Sequence, residues 1–334
     1  SCAQPDAVYA TIKQNALNGE SSAAGGLYGV IRASAFPIPL RSEELMWNHK
    51  AKYRNFKATR QLAFATPTRG GDFTIAITQD EIYQLYGDPS KTKVEELNNL
   101  AFKFVSQTIA PARSAGNVTL LHETMDQSLG PRKAWTYSPG TRRVRRAPNI
   151  AYDNPLFNSD GLQTFDAFGL FNGATDRYDW TYMGRGEYYM PANNYRLAQR
   201  DLQYKDIFLA GGHINQDYPR YELQRAHLVE AKLRPGTRHI YAKRRFWFEE
   251  DSWFIHATSA YDGRGDLWRL QETFAITYYE EPVCDRVGVV SYDLNAGRYL
   301  VDSFVNQETQ ISWSADELTE DRYTPDFIRQ MGVR

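Results

Sequence analysis

Long hydrophobic runs, a charge surplus and an N-terminal export signal are all missing from this sequence. No run of about 18 apolar residues occurs, so no transmembrane helix is predicted. The formal net charge is −1, from 39 basic and 40 acidic residues. Without a basic surplus, nonspecific binding to nucleic acid is not expected. The first residues lack the charged and apolar segments of a signal peptide, as a mature or trimmed chain also would.

Cysteine is nearly absent as well. The two cysteines, Cys2 and Cys284, are too few for a structural zinc site. In an oxidising compartment they could form a disulfide that ties the N-terminus to a late strand. Two buried free thiols are the alternative that the sequence leaves open.

Familiar catalytic motifs are also missing. The sequence has no GxSxG, Walker or HExxH motif, and its six histidines are scattered without metal-ligand spacing. Asp262 and Asp266 resemble part of a calcium loop, but further oxygen ligands are lacking and a tight hairpin turn is predicted. We therefore predict a protein that is not an enzyme and needs no metal or other cofactor.

Aromatic residues, in contrast, are abundant: they make up 14% of the chain, with 22 Tyr and 17 Phe. Aromatic side chains favour strands, and on alternating positions they can wall an apolar pocket. An ordinary hydrophobic core is the alternative explanation. The candidate cavity residues are Trp47, Trp135, Tyr137, Tyr182, Phe246, Phe248, Trp253, Trp268 and Phe274.

A hairpin with many arginines is predicted within residues 133–155. Its first arm alternates, with Trp135 and Tyr137 on one face, and Pro139-Gly140 then supplies a turn. The returning arm carries Arg142, Arg143, Arg145 and Arg146. Guanidinium groups suit carboxylate and phosphate oxygens, so this arm is a candidate edge for an anionic headgroup or a partner. A solvated strand face with local acidic partners is the alternative.

The chain is predicted to form one domain. Its segments are an extended N-terminal arm (residues 1–40), a helix (41–57), a first group of strands (58–150), an irregular connection (151–220), an antiparallel meander (221–306) and a C-terminal tail with a short helix (307–334). Ser42 is the predicted N-cap of the first helix, and Thr324 with Pro325 begins the last one.

The meander sets the predicted fold class, which is mainly β. Strands at residues 225–233, 239–248, 252–261, 267–279, 286–293 and 298–305 are separated by short turns. Strands joined in this way usually pair as antiparallel neighbours. A long sheet of this kind must twist and curl, which creates a concave side that has to be filled.

Several long motifs support a family resemblance over nearly the whole chain. They are, in order, FPIPLRSEELMWNH, PGTRRVRRAPNIAYDNP, FNGATDRYDW, RHIYAKRRFWFEEDSW, YDGRGDLWR and YDLNAGRYLV. With these motifs the chain resembles the family called domain of unknown function 1329, from Gram-negative bacteria. The resemblance implies a fold similar to the carriers LolA and LolB. In that fold a strongly curved antiparallel sheet forms an incomplete barrel, closed by helices over an apolar cavity.

The resemblance also carries expectations about location and partners. Family members begin with a signal peptide and a further segment, so Ser1 is expected to follow a removed or missing portion, and the location is expected to be the periplasm. Residues 33–35 depart from the more usual Gly-Ile-Pro. The family offers no established catalytic residues. Its members resemble partners of efflux-type inner-membrane transporters and outer-membrane proteins.

The predicted function is that of a periplasmic carrier for a lipid or another hydrophobic molecule. Release is expected when a membrane partner shifts the helix that carries Trp47 and His49. Two alternatives remain: a glycan-binding or hydrolytic protein with an open groove, and an envelope scaffold whose interior is filled by its own side chains.

Overall fold

The structure is a computed structural model, and it describes residues 2–21, 26–126, 129–147 and 152–333. The helices are α1 (Asp6–Asn18), α2 (Ser42–Lys50), α3 (Tyr204–Ile207) and α4 (Pro325–Val333). Short 3₁₀ turns lie at Leu85–Gly87, Val94–Leu97, Phe165–Ala167 and Glu320–Arg322. None of the helices in these ranges is long and apolar enough to cross a membrane.

Fifteen strands are present in the described ranges. They are β1 (Glu20–Ser21), β2 (Leu27–Tyr28), β3 (Lys57–Ala65), β4 (Ala76–Tyr83), β5 (Leu100–Ala110), β6 (Val118–Thr124), β7 (Lys133–Ser138), β8 (Arg143–Arg146), β9 (Tyr178–Pro191), β10 (Tyr221–Leu233), β11 (Lys243–Glu249), β12 (Ile255–Tyr261), β13 (Leu267–Tyr278), β14 (Val283–Asp293) and β15 (Arg298–Phe304).

Thirteen of these strands form one antiparallel sheet in the order β8-β7-β6-β5-β4-β3-β15-β14-β13-β12-β11-β10-β9. We call β3–β8 the first half-sheet, β9–β15 the second half-sheet, and the contact between β3 and β15 the seam. At the seam Ala65 pairs with Val301 and Ala63 with Phe304, with a shift in register between the two pairs. The sheet is strongly curved and does not close, so the predicted fold class is confirmed.

Each strand of the second half-sheet pairs with its neighbour in sequence. The alternation that predicted the meander follows from this arrangement, because successive side chains point to opposite faces. On one face Phe246 and Phe248 are fully buried against Leu45 and Met46 of α2. On the other face Phe274 packs in a cluster with residues of α3 and its flanking loops. Both faces of this half-sheet are therefore covered.

The C-terminal segment packs on one face of the first half-sheet. Val105, Leu120 and Tyr137 form a cluster with Ile328 of α4. Helix α4 begins at Pro325, and the Thr324 Oγ1 atom accepts a hydrogen bond from the Phe327 backbone N–H at 3.2 Å. The predicted capping of this helix is therefore present in the structure.

Three predicted segments differ from the observed ones. Residues 1–40 are not wholly extended, because α1 occupies Asp6–Asn18. Helix α2 ends at Lys50 rather than near residue 57, and its N-cap is Arg41 rather than Ser42. The Ser42 hydroxyl instead donates to the Trp180 carbonyl at 3.2 Å, which ties α2 to β9. Strand β9 itself is a single strand of 14 residues inside the predicted irregular connection.

A disulfide joins Cys2 to Cys284, at the start of β14. The two residues are 282 positions apart in sequence and their Cα atoms lie 5.7 Å apart. The N-terminal segment is thereby attached to the second half-sheet, as the sequence left open.

Candidate functional site

A cavity of about 520 Å³ lies on the inner face of the first half-sheet. Residues of β3, β4, β5, β6 and β7 form its floor. Further lining comes from α2 and the residues after it, from the segment after β8, from Phe254, and from Arg286 of β14. A volume of this size falls within the range of small-molecule and cofactor pockets, roughly 300–1,000 Å³. This cavity is the candidate functional site.

A polar row crosses the floor. The register of the strands places the following residues side by side: Arg60, Asp80, Ser106, Thr119 and Thr136. Directly paired residues of neighbouring antiparallel strands share a face of the sheet. All five residues line the cavity, and three of them have short side chains. The short side chains leave the space that the cavity occupies.

An apolar row runs beside the polar one. Ile82 pairs with Phe104, and Phe104 pairs with Leu121. All three line the cavity, and Phe104 and Leu121 are only half-buried. The floor is therefore amphipathic, with one stripe of hydroxyl and charged groups and one stripe of hydrocarbon.

The opposite wall is rich in phenylalanine. The lining residues of the segment between β8 and β9 include Leu156, Phe157, Phe165, Phe168 and Phe171. The rings of Phe157 and Phe165 meet edge to face, with centroids 5.2 Å apart. Phe157 is 49% exposed, so its side chain reaches both the cavity and the solvent. We call residues 156–172 the lid segment.

Buried ionic contacts hold the lid segment in place. Asp166 accepts hydrogen bonds from Arg244 Nη1 at 2.6 Å and from His239 Nε2 at 3.0 Å. Burial alone would raise the pKa of the Asp166 carboxyl, but the Arg244 guanidinium and the His239 hydrogen bond lower that pKa to about 2. The carboxylate is thus ionised, and it fixes the lid segment to β11.

Helix α2 contacts the lid segment and the second half-sheet through His49. The imidazole Nε2 lies 3.2 Å from the Phe171 carbonyl, and Nδ1 lies 3.0 Å from the Trp253 carbonyl and 3.3 Å from the Ile255 backbone nitrogen. Burial, and secondarily the Lys52 ammonium, hold the pKa of His49 well below its usual value. His49 is therefore neutral and lines the cavity where three parts of the fold meet.

Charged side chains gather at the seam end of the cavity. Asp285 of β14 accepts from Arg54 Nη2 at 2.8 Å and from Arg60 Nη1 at 2.9 Å. Burial would raise the pKa of Asp285, but Arg54, Arg60 and Arg286 together lower it below its usual range. We call Lys52, Arg54, Arg60, Arg286, Asp80, Asp285 and Asp302 the seam cluster.

The arginines of β8 stand at the other end of the polar row. Arg143 pairs with Ser138 and Arg145 with Thr136, and both of these partners line the cavity. Arg143 and Arg145 therefore share the cavity face of the sheet, while Arg146 lies on the opposite face. All of the β8 arginines are exposed, as is Arg142 in the turn before β8. Within the part of the chain that the structure describes, none of them forms a salt bridge.

Of the nine aromatic residues that the sequence indicated for the cavity, Tyr137 lines it. Tyr137 also belongs, with Trp47, to the cluster that contains Ile328 of α4, and Trp135 packs against that cluster. Phe246, Phe248, Trp253 and Tyr182 pack in the cluster around α2, and Phe274 packs near α3. Trp268 donates through its indole N–H to Asp293 Oδ2 at 3.0 Å. The structure thus distributes these residues over several clusters.

Sequence reasoning missed most of the actual lining. Ser106, Thr119 and Thr136 have short side chains and were not predicted as pocket residues. They pair directly across three neighbouring strands, so their side chains lie on the same face of the sheet. A run of short polar residues on one face of several consecutive strands is the signal that could have indicated the cavity. The phenylalanines of the lid segment lay in a region without periodicity.

No group of three or more His, Cys, Asp or Glu residues is arranged to hold a metal ion, as far as the described ranges extend. The seam cluster instead combines carboxylates with a larger number of cations. Its chemistry suits an anion better than a metal.

Solved structures share this fold. A Vibrio parahaemolyticus domain, described as an outer membrane lipoprotein-sorting protein, superposes with a TM-score of 0.55 at 11% identity, covering 82% of this chain and 92% of that one. The LolA superfamily protein NE2245 from Nitrosomonas europaea superposes with a TM-score of 0.50 at 10% identity, covering 86% of this chain and 100% of that one. This chain therefore has a fold similar to the folds of these two proteins.

Sequence comparison gives a closer relationship. The chain is 42% identical over 340 residues to the uncharacterized protein PA3922 of Pseudomonas aeruginosa, covering 100% of this chain and 73% of that protein. The family described as "Protein of unknown function (DUF1329)" matches residues 1–329. The chain therefore belongs to the DUF1329 family.

Proposed function

We propose that this chain is a periplasmic carrier with one curved-sheet domain, which takes a lipid or another hydrophobic molecule into the cavity of the first half-sheet. An efflux-type inner-membrane transporter or an outer-membrane protein would be its partner. The observation that carries the proposal is the cavity itself: about 520 Å³ of space, lined by half-buried Phe104 and Leu121 and by the lid segment.

The driving force for binding is burial of hydrocarbon. Each methylene group moved out of water contributes about 0.8 kcal/mol, so a chain of about ten methylenes would contribute about 8 kcal/mol before the ordering costs are subtracted. Half-exposed phenylalanine and leucine side chains in the empty cavity would be covered at the same time, which adds to the gain.

The LolA superfamily fold supports the proposal, since the name of one structural neighbour refers to outer membrane lipoprotein sorting. The open cavity also favours a carrier over a scaffold, because a scaffold needs no internal space. A glycan-binding protein would use an open groove, and a carbohydrate array tests that alternative separately.

The test compares wild-type protein with a variant in which the cavity is filled. Protein purified without detergent is examined by native mass spectrometry for a co-purifying lipid-sized mass, then delipidated and titrated with the apolar fluorophore 1-N-phenylnaphthylamine. We expect saturable binding by wild type and its loss in Thr119→Trp, because the indole occupies the middle of the floor. Ser90→Trp, in an exposed turn, is the matched control.

Two results would contradict the proposed carrier function. If delipidated wild-type protein binds neither the fluorophore nor any lipid, or if Thr119→Trp binds as well as Ser90→Trp, the cavity is not a ligand site and the proposal is wrong.

Release would require movement of α2, which contacts the lid segment through His49. A disulfide engineered near the contact between Ser42 and Trp180 would fix α2 to β9. We expect the oxidised protein to bind a labelled amphiphile but to transfer it more slowly between vesicles, with full recovery after reduction. Equal transfer rates in both states would rule out this route of release.

A further inference from the structure

The seam cluster contains more positive than negative groups. Its cations are Lys52, Arg54, Arg60 and Arg286, and its carboxyls are Asp80, Asp285 and Asp302. Burial raises the pKa of both Asp80 and Asp302, which disfavours their charged forms. Buried cations without matching anions cost several kcal/mol each. With all seven groups ionised, the cluster is therefore short of negative charge by one carboxylate.

Arg286 shows this shortage most directly. Its side chain is 3% exposed, and it lines the cavity. The Nε atom donates to Ser303 Oγ at 3.0 Å, and the guanidinium lies 4.4 Å from the Phe168 ring. Within the described part of the chain, Nη2 has no hydrogen-bond partner. Burial, with the neighbouring Arg60 and Arg54, lowers the pKa of Arg286 to about 9.

Lys52 provides a second buried cation on the same wall. Its Nζ donates to the His49 carbonyl at 2.6 Å and lies 4.5 Å from the Phe254 ring. Burial, and then the charge of Arg54, lower the pKa of Lys52 well below its usual value. Lys52 lines the cavity, and a bound anion would favour its ammonium form, which has three hydrogen-bond donors.

The two rows of the floor would orient a bound amphiphile within the cavity. The polar row ends at Arg60 within the seam cluster, while the apolar row of Ile82, Phe104 and Leu121 runs alongside it. A molecule that places a charged group at the seam cluster can lay its hydrocarbon along the apolar row, under the phenylalanines of the lid segment.

We propose that the cavity binds an anionic amphiphile, with a carboxylate or phosphate headgroup at Arg286 and Lys52 and a hydrocarbon tail along the apolar row. This inference rests on the proposed carrier function and makes it more specific. Guanidinium forks match the geometry of carboxylate and phosphate oxygens, and such charge-assisted hydrogen bonds are the strong ones. A neutral hydrocarbon molecule without an acceptor would leave Arg286 Nη2 without a hydrogen-bond partner in the described ranges.

The first experiment uses the unmodified protein and three probes of twelve carbons each. Delipidated protein is titrated by calorimetry with dodecanoate, dodecyl phosphate and the neutral 1-dodecanol, and separately with inorganic phosphate. We expect both anionic amphiphiles to bind at least about tenfold more tightly than dodecanol, a difference of about 1.4 kcal/mol. Inorganic phosphate should bind far more weakly, because it lacks the tail.

The second experiment removes one cation. Arg286→Gln should weaken the binding of dodecanoate by about tenfold and leave dodecanol within about twofold. The control is Arg264→Gln, which removes an arginine from the exposed turn between β12 and β13, where the side chain is 77% exposed. If Arg286→Gln does not fold, Lys52→Gln takes its place with the same expectation.

The outcomes distinguish a failure of the headgroup inference from a failure of the carrier function. Equal affinity for dodecanoate and dodecanol would overturn the headgroup inference and leave the carrier function standing. Tight binding of inorganic phosphate alone would also overturn it, since the site would then take a free anion. Binding of none of the four probes would overturn the carrier proposal itself.

Discussion

The two half-sheets belong to one curved sheet but are filled differently. In the second half-sheet, Leu45 and Met46 of α2 pack against Phe246 and Phe248, which are completely buried. In the first half-sheet, the face that lines the cavity carries Ser106, Thr119 and Thr136. Large aromatic side chains thus fill one face of the second half-sheet, while short polar ones leave space on one face of the first. The position of the cavity in this fold is therefore set by where the short side chains lie.

The largest expected effect of this difference is on stability. Phe246→Ala in the second half-sheet should lower the free energy of unfolding by about 3–5 kcal/mol, because a fully buried ring leaves a cavity behind. Phe104→Ala in the first half-sheet should cost less than about 1.5 kcal/mol, because its ring already faces open space. Urea unfolding measures both. Equal losses would show that the two half-sheets are packed alike.

Larger side chains should also destabilise the second half-sheet more than the first. Ala231→Leu, within the fully buried cluster of the second half-sheet, should cost about 1–3 kcal/mol through overpacking. Thr119→Leu should leave the free energy of unfolding within about 0.5 kcal/mol, because the cavity accommodates the added carbons. Thermal unfolding of the two variants provides the measurement. A strongly destabilised Thr119→Leu protein would mean that the floor is already filled.

Acid should weaken the contacts that α2 makes through His49 with the lid segment and the second half-sheet. The pKa of His49 is well below about 6.5, the value in an unfolded chain, so the unfolded state takes up a proton first. The stability from neutral His49 is therefore complete above that value and is lost as the pH falls toward the folded pKa. The loss is at most about 1.4 kcal/mol per pH unit.

Urea unfolding at pH 7 and pH 5 checks this expectation. His256 in the second half-sheet also has a pKa lowered by burial, so it contributes part of the slope. His49→Gln should reduce the dependence on pH, and His256→Gln serves as the comparison. If His49→Gln retains the full slope of wild type, His49 does not carry the effect.

The smallest effect concerns the exposed cations. Arg143→Gln with Arg145→Gln should weaken the binding of an anionic amphiphile only about two- to fivefold, mainly through a slower association rate, because exposed charges are screened by salt. The free energy of unfolding should stay within about 0.5 kcal/mol. Stopped-flow association at low and high salt tests this. A rate that does not depend on these arginines would remove the edge of β8 from the binding path.

Much of the fold could be predicted from the sequence. The alternation within β10–β15 and the turns between these strands indicated an antiparallel meander, and Thr324-Pro325 indicated α4. Helix α1 was missed because its buried residues are Val8, Thr11 and Asn15, so its buried face is largely polar. Asn15 is held there by hydrogen bonds to the backbone of Ile31 and Ala33, which no periodicity of hydrophobic residues reveals.

The candidate site was harder to predict for a related reason. Aromatic residues on alternating strands indicated a pocket wall, but the same pattern is produced by a filled core such as that of Phe246 and Phe248. The choice depends on what covers each face, and the position of α2 is a tertiary feature. The seam cluster was hidden too, since Arg60 and Asp285 are 225 positions apart in sequence.

The order of strands at the seam has a consequence for biogenesis. Strands β3 and β15 are neighbours in space, although residues 66–297 separate them along the chain. Each half-sheet can form hairpin by hairpin during synthesis. The seam between them cannot form until β15, the last described strand, has been synthesised, and such distant pairings form slowly. Until then two long strand edges stay unpaired, and unpaired edges recruit foreign strands. Nascent or truncated chains that end before residue 298 should therefore depend on chaperones more than the finished protein does.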